Sequence, residues 1–241
     1  MTETEGRGDL LAGPRRLAVA SAAGAAAGFV IGGIAGRLAM LVLRLTSDPS
    51  LHGLPTDDDF TIGVVSGETA FLLIASAVIG AAGGVVYLAI RSWLPERMRP
   101  WMAAVLGGSI GGAVIIRPGG IDFTALEPLW LAVVMFIAIP ASGSAAIAIA
   151  IDRLLGGGST RTTRNRWFVG LIPLVFVGLL GPLALAAVVL ALVIAIAGPR
   201  YPALGRAWTS RPARLVGAAV LTAAVGIGLS ALLRDVADVL S

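Results

Sequence analysis

The ionisable residues that fall inside apolar stretches of this 241-residue chain are the first candidates for chemistry. Arg37 interrupts a long apolar run, and Glu68 opens the next run after a short acidic loop. An arginine on a lone helix costs roughly 2.5 kcal/mol or more at mid-depth in a membrane, so it needs a partner or water. We therefore expect an ion pair between Arg37 and Glu68.

Three further charges close the ends of neighbouring apolar stretches, namely Arg44, Arg117 and Asp122. With Arg37 and Glu68 they predict a charged cluster near the outer leaflet. One interpretation is a polar pocket that opens outward and binds a lipid head group, an anion or a proton. The other is an ion-pair network that only sets the register of the helices, as buried pairs often do.

The residues needed for most catalytic and metal sites are missing. The chain has no cysteine, no lysine and a single histidine, His52, which excludes disulfides, multi-histidine metal sites and a retinal Schiff base. The carboxylates of residues 57–59 lack the spacing of a calcium loop. Ser142 and Ser144 have no base beside them and are expected to satisfy carbonyls at a kink made by Pro140. We therefore predict no catalytic residue, no metal site and no cofactor.

The elements that position these residues are predicted to be transmembrane helices. Hydrophobic residues make up 57% of the chain and charged residues 13%, and the mean hydropathy is +0.91. Soluble domains carry about 25% charged residues. The fold class is therefore predicted to be all-α, a polytopic transmembrane bundle in one domain of residues 1–241.

Apolar runs separated by loops predict about seven spans. A Gly-Pro break at Gly181 divides the run 167–197 into a hairpin, and a re-entrant hairpin that never reaches the far surface fits equally well. The predicted spans are about 17–43, 65–90, 101–116, 128–151, 167–180, 183–197 and 213–233.

The distribution of arginines predicts the orientation of the chain. With the N-terminus in the cytoplasm, 14 of the 18 arginines fall in inner segments, three before the first span, three in 91–99, four in 153–166 and four in 200–214. This is the asymmetry that the positive-inside rule describes. Because the arginines are spread over short loops, we expect them to contact membrane lipids, including anionic ones, and not nucleic acid.

Glycines recur every fourth residue in the first and third predicted spans, and Gly80 and Gly84 have the same spacing in the second. On a helix this spacing forms a smooth face that lets another helix approach closely in lipid. The spacing does not distinguish contacts within the bundle from contacts with a second copy or another membrane protein. The predicted helix-packing glycines are Gly24, Gly28, Gly32 and Gly36 in the first span and Gly107 and Gly111 in the third.

Several short motifs together resemble those of a protein family. The chain reads Gly-Arg-Leu-Ala-Met at 36–40, Asp-Asp-Phe-Thr-Ile-Gly at 58–63 and Arg-Ser-Trp-Leu-Pro at 91–95, followed by Asp122-Phe123 and Pro128. Over about residues 28–155 it resembles uncharacterised multi-pass integral membrane proteins of actinobacteria. The resemblance implies a bacterial plasma-membrane protein and supplies no substrate.

These observations predict a small transporter, channel-like or lipid-handling protein with a charged site near the outer leaflet. The alternative is a non-catalytic structural or assembly subunit of a membrane complex, which packs on a partner through its glycine-rich helix faces.

Overall fold

The computed structural model describes residues 12–48, 67–120, 123, 127–156 and 167–241. Within these residues the regular elements are all helices, and none is a strand. The all-helical class predicted from composition is therefore confirmed.

The first helical run is continuous and has three parts. Helix α1 (Ala12–Ala27) leads into a π-helical segment (Gly28–Ala35), which leads into α2 (Gly36–Thr46). The run is apolar and has no proline beyond its first turn, so nothing interrupts it.

The next two runs form a helical pair joined by a short connection. Helix α3 (Gly67–Ile90) is followed by a 3₁₀ turn (Glu96–Met98). The third run then consists of α4 (Arg99–Leu106), a π-helical segment (Gly107–Gly111) and α5 (Gly112–Ile115). Proline follows the first residue of α4, where its missing N–H needs no partner.

Helix α6 (Leu129–Gly156) is continuous through Pro140. The proline removes one backbone hydrogen bond from the helix interior. The Ser142 hydroxyl donates to the carbonyl oxygen of Ile139 at 3.1 Å, three residues beyond the Phe136 carbonyl that loses its usual donor.

The last third of the chain begins with a hairpin. A 3₁₀ helix (Trp167–Leu180) ends at Gly181, and α7 (Pro182–Arg200) follows. Gly181 has a φ of 98°, a conformation that side-chain-bearing residues avoid, so the chain can reverse there. Two further helices follow, the short α8 (Pro202–Thr209) and the long α9 (Arg211–Leu240).

The contacts between helices fix their relative directions. Ala20 and Gly24 of α1 lie against Gly84 and Gly80 of α3, so these two helices are antiparallel. One end of the bundle carries the start of α1, the ends of α3 and α6 and the start of α4. We call it the arginine-rich end, because it holds Arg15, Arg16, Arg91, Arg99 and Arg153.

Four helices in the described part of the chain are long and apolar enough to cross a membrane, namely Gly13–Thr46, Thr69–Ile90, Leu129–Gly156 and Arg211–Leu240. Their outer faces expose large apolar side chains, such as Leu45, Phe71 and Ile227. Two shorter apolar stretches, Phe168–Gly178 and Leu185–Gly198, form the hairpin. These features are those of a chain suited to membrane insertion.

Three clusters of buried apolar residues hold the bundle together. One lies opposite the arginine-rich end and joins α2, α6 and α9 through Leu43, Phe136 and Leu232. The second joins α1, α3, α4 and α6 near the arginine-rich end. The third packs the hairpin on α1 and α3, with Val177 and Val188 against Leu17 and Val85.

Candidate functional site

The structure shows a polar partner of Arg37 beside the one predicted from the sequence. The half-buried guanidinium donates a hydrogen bond to the Thr69 hydroxyl on α3, and a weaker one to the Met40 sulfur at 3.9 Å. Thr69 follows Glu68 directly in α3, so Arg37 does reach the start of that helix. The side chain of Glu68 lies outside the described residues, and the Arg37–Glu68 pair stays a prediction.

The rest of the predicted outer cluster is only partly described. Arg44 is half-buried in the last turn of α2, and Arg117 is exposed after α5. Asp122 lies outside the described residues, as do His52 and the acidic run 57–59. The charged pocket at this end therefore remains a hypothesis.

Backbone and hydroxyl contacts connect two runs at the same end of the bundle. The Thr46 hydroxyl donates to the Glu127 carbonyl oxygen at 2.8 Å, and the Glu127 N–H donates to the Ser47 hydroxyl at 2.9 Å. The end of α2 is thereby joined to the residues that precede α6.

The glycine row of the first run faces α3 of the same chain. A Cβ added to Gly24 would lie 2.9 Å from the Gly80 carbonyl carbon, and one added to Gly28 would lie 2.9 Å from the Gly80 Cα. At Gly32 the nearest atom would be Ser76 Cβ, at 3.1 Å. A Cβ on Gly36 would meet nothing within 4 Å. Three of the four predicted glycines thus lie at one helix contact, and the fourth does not.

The glycines of the third run face α6. A Cβ on Gly107 would lie 2.6 Å from Ser144 Cβ, and one on Gly111 would lie 2.6 Å from Pro140 Cβ. Ser144, which we expected to satisfy a freed carbonyl, therefore lies against Gly107 at this contact.

A polar cluster that the sequence did not indicate lies at the arginine-rich end. Asp152 of α6 accepts a hydrogen bond from the Tyr87 hydroxyl at 2.8 Å and forms ion pairs with Arg91 at 3.3 Å and Arg99 at 3.7 Å. Arg99 also bonds the Arg91 carbonyl oxygen, at 3.1 Å. Three side chains, from the end of α3, the connection after it and the start of α4, thus meet at the Asp152 carboxylate.

Two tryptophans, Trp93 and Trp208, connect α8 to the rest of the bundle. Their rings lie 4.6 Å apart between centroids, with 40° between the planes. The Trp208 indole N–H donates to the Ala89 carbonyl oxygen at 2.9 Å, and the Trp93 N–H donates to the Trp208 carbonyl oxygen at 3.3 Å. Trp93 also packs against Gly217 of α9. These contacts hold α8 across the ends of α3, α7 and α9.

A cavity of about 470 Å³ lies beside this tryptophan pair. Its walls come from the start of α1, the end of α3, the end of α7 and α8. Leu88, Ala89, Ile194, Ala195 and Leu204 make one side apolar. The described lining residues that can form hydrogen bonds through a side chain are Arg16, Ser92, Trp208 and Thr209.

The cavity combines an apolar wall with a small polar region. Ligand sites in proteins are usually 300–1,000 Å³ in volume and have this composition. It lies at the ends of apolar helices that are suited to membrane insertion. We take it as the candidate functional site.

Sequence reasoning missed both the cavity and the Asp152 cluster. The loop of residues 91–99 was noted for its arginines and for Trp93, and an amphipathic α8 could have been read from the apolar and basic residues of 202–209. Neither signal shows which distant helices meet there. In the described parts of the chain, no three residues of the metal-binding acidic, histidine or cysteine types cluster together.

Comparison of the chain with protein-family models, curated proteins and solved structures finds no match. The resemblance to actinobacterial membrane proteins therefore stays a prediction.

Proposed function

We propose that this chain is a lipid-handling or small transporter protein of the bacterial plasma membrane, which binds an amphiphilic molecule at its arginine-rich end. The observation that carries the proposal is the cavity of about 470 Å³ between α1, α3, α7 and α8. Its apolar wall suits an acyl chain, and its polar region suits a head group.

The proposal includes an orientation. Arginines in short loops face the cytoplasm in most membrane proteins, which supports a cytoplasmic arginine-rich end and N-terminus. To the four long apolar helices, seven crossings add the third run, from α4 to α5, and both arms of the hairpin, Trp167–Leu180 and α7. The charged cluster predicted at the opposite end would then face outward, and its role as a polar pocket is part of the same proposal.

The assembly-subunit alternative has less support. It needs glycine faces that remain available to a partner, whether another protein or a second copy of the chain. Gly24 and Gly28 are occupied by α3, and Gly107 and Gly111 are occupied by α6. These rows are therefore explained by contacts within the chain.

The test introduces a large side chain at a glycine that lines the cavity. Gly198 lines the cavity, and a Cβ added there meets no heavy atom within 4 Å. We expect Gly198→Trp to weaken the binding of a fluorescent phospholipid to the purified protein by about tenfold or more, because the indole occupies the space of the ligand. Binding is measured by titration in detergent micelles.

Gly226→Trp is the matched control, because Gly226 lies on the exposed face of α9 and also has no atom within 4 Å of an added Cβ. Thermal unfolding of both variants checks that they fold. Equal phospholipid binding by the two folded variants would refute the proposed site.

A further inference from the structure

The charge of the cavity indicates the kind of head group that it accepts. Arg16 is the one ionic residue among the described residues that line it, and no described acidic residue is among them. The carboxylate of Asp152, in the last turns of α6 at the same end of the bundle, already forms ion pairs with Arg91 and Arg99. The cavity therefore carries positive charge that nothing in its described lining neutralises.

A second observation concerns the Ser92 hydroxyl. Its oxygen is buried and has no hydrogen-bond partner among the described residues, although Ser92 itself is only half-buried. Ser92 lines the same cavity as Arg16. A buried hydroxyl without a partner destabilises a protein, so rotation of the Ser92 side chain into the cavity, where a ligand oxygen can accept its hydrogen bond, would be favoured.

The other polar groups of the lining are already in use. The Trp208 N–H donates to the Ala89 carbonyl oxygen, and the Thr209 hydroxyl donates to the Gly205 carbonyl oxygen at 3.0 Å. The donors left to a ligand are the Ser92 hydroxyl and the Arg16 guanidinium, which prefers phosphate and carboxylate oxygens. The site thus selects an acceptor with negative charge.

We propose that the cavity binds the phosphate of an anionic phospholipid from the inner leaflet, with an acyl chain along Leu88, Ile194 and Leu204. This inference rests on the proposed function and adds the substrate class to it. A lipid is preferred to a soluble phosphate ester because apolar side chains of α3, α7 and α8 form much of the lining. Trp208 beside it is a residue type enriched at membrane interfaces.

The test compares two arginines that are adjacent in sequence. Arg16 lines the cavity and Arg15 does not. The purified full-length protein is titrated with fluorescent phosphatidylglycerol and with fluorescent diacylglycerol, which lacks the phosphate, in neutral detergent. We expect wild type to prefer phosphatidylglycerol by about tenfold or more, the size of a charge-assisted hydrogen bond. Arg16→Gln should remove this preference without weakening diacylglycerol binding, whereas Arg15→Gln should keep it.

Ser92→Ala supplies a second variant, with an expected loss of about threefold to tenfold in phosphatidylglycerol affinity alone. Inorganic phosphate, added as a competitor, distinguishes a lipid head group from free phosphate as the ligand. We expect it to leave lipid binding unchanged at millimolar concentration. Displacement of the lipid by phosphate alone would overturn the lipid assignment.

The two proposals fail in different ways. If both lipids bind with equal affinity and Gly198→Trp weakens both, the cavity binds amphiphiles but the charge inference is wrong. An equal loss of preference in Arg15→Gln and Arg16→Gln would also refute it, since general surface attraction would then explain the selectivity. If neither lipid binds to wild type, the proposed function itself is wrong.

Discussion

The Asp152 carboxylate of α6 connects three parts of the chain at the arginine-rich end of the bundle, namely α6, the end of α3 and the start of α4. Its side chain is 25% exposed, Arg91 is 26% exposed and Arg99 is 13% exposed, so water screens these ion pairs only in part. Tyr87, 5% exposed, contributes a charge-assisted hydrogen bond from within α3. Such bonds contribute more to stability than bonds between neutral groups.

We expect Tyr87→Phe to lower the free energy of unfolding by about 1.5–3 kcal/mol, because the Asp152 oxygen loses its closest donor. Thermal unfolding of the purified protein in detergent measures the change. The chain has one other tyrosine, Tyr201, which is 64% exposed, so Tyr201→Phe is the control and should have little effect. Equal stability of the two variants would show that the Tyr87–Asp152 bond contributes nothing.

Arg37 illustrates that a charge in an apolar run predicts where a polar partner lies but not every side chain that contacts it. The sequence indicated that it needs a polar group near the start of α3, and its guanidinium does bond Thr69 there. Whether Glu68, the residue before Thr69, also reaches the guanidinium depends on how α2 and α3 are rotated about their axes. A sequence contains no information on that rotation beyond its apolar pattern.

At the level of elements, the glycine rows decide which helices approach closely. The contact between α1 and α3 brings backbone against backbone, because Gly24 and Gly28 on one helix meet Gly80 and Gly84 on the other. In lipid, where apolar burial between helices contributes little, close approach of this kind supplies the packing energy.

We expect Gly28→Ala to destabilise the protein by about 1–3 kcal/mol, because the new methyl group would overlap the backbone of α3 and push the helices apart. Gly36→Ala is the matched change in the same run. It meets no atom within 4 Å and should be neutral or stabilising by up to about 1 kcal/mol, since alanine favours helix. Unfolding in detergent compares the two. A Gly28→Ala variant as stable as Gly36→Ala would refute this account of the helix contact.

The hairpin shows a second effect of local geometry. As an α-helix, the 14 residues of Trp167–Leu180 would extend only about 21 Å. A 3₁₀ helix rises about 2.0 Å per residue, so the same residues extend about 28 Å. The 19 residues of α7 also extend about 28 Å. Both arms therefore approach the thickness of a hydrocarbon core, about 30 Å, which favours a hairpin that crosses over one that only dips in.

For the whole molecule, the orientation in the membrane can be tested directly because the natural chain has no cysteine. Glu96 is exposed at the arginine-rich end, whereas Gly119 and Pro182 are exposed at the opposite end and at the hairpin tip. We expect a membrane-impermeant maleimide to label Gly119→Cys and Pro182→Cys in intact cells, and Glu96→Cys only after lysis.

Each site reports on a separate part of this prediction. Labelling of Glu96→Cys but not Gly119→Cys in intact cells would reverse the orientation. Labelling of Gly119→Cys without Pro182→Cys would show that the hairpin does not reach the far surface, and seven crossings would then be wrong. The unsubstituted chain is the control, since it has no thiol to label.

The sequence by itself determined the helical class, the apolar stretches and the glycine spacing. It could do so because each depends on residues close together in the chain: a run of apolar side chains forms a helix in lipid, and glycines four apart share a helix face. Even the hairpin break was visible in this way, as a Gly-Pro pair at Gly181.

Only the tertiary structure decided which faces meet and where a gap remains between them. Tyr87 and Asp152 are 65 residues apart, and their contact exists because α3 and α6 end at the same level of the bundle. The cavity exists because α1, α3, α7 and α8 converge there without closing, which leaves Arg16 and Ser92 on a shared wall. These features depend on the rotation, crossing and length of packed helices, quantities that arise from all the helices at once and that no local pattern specifies.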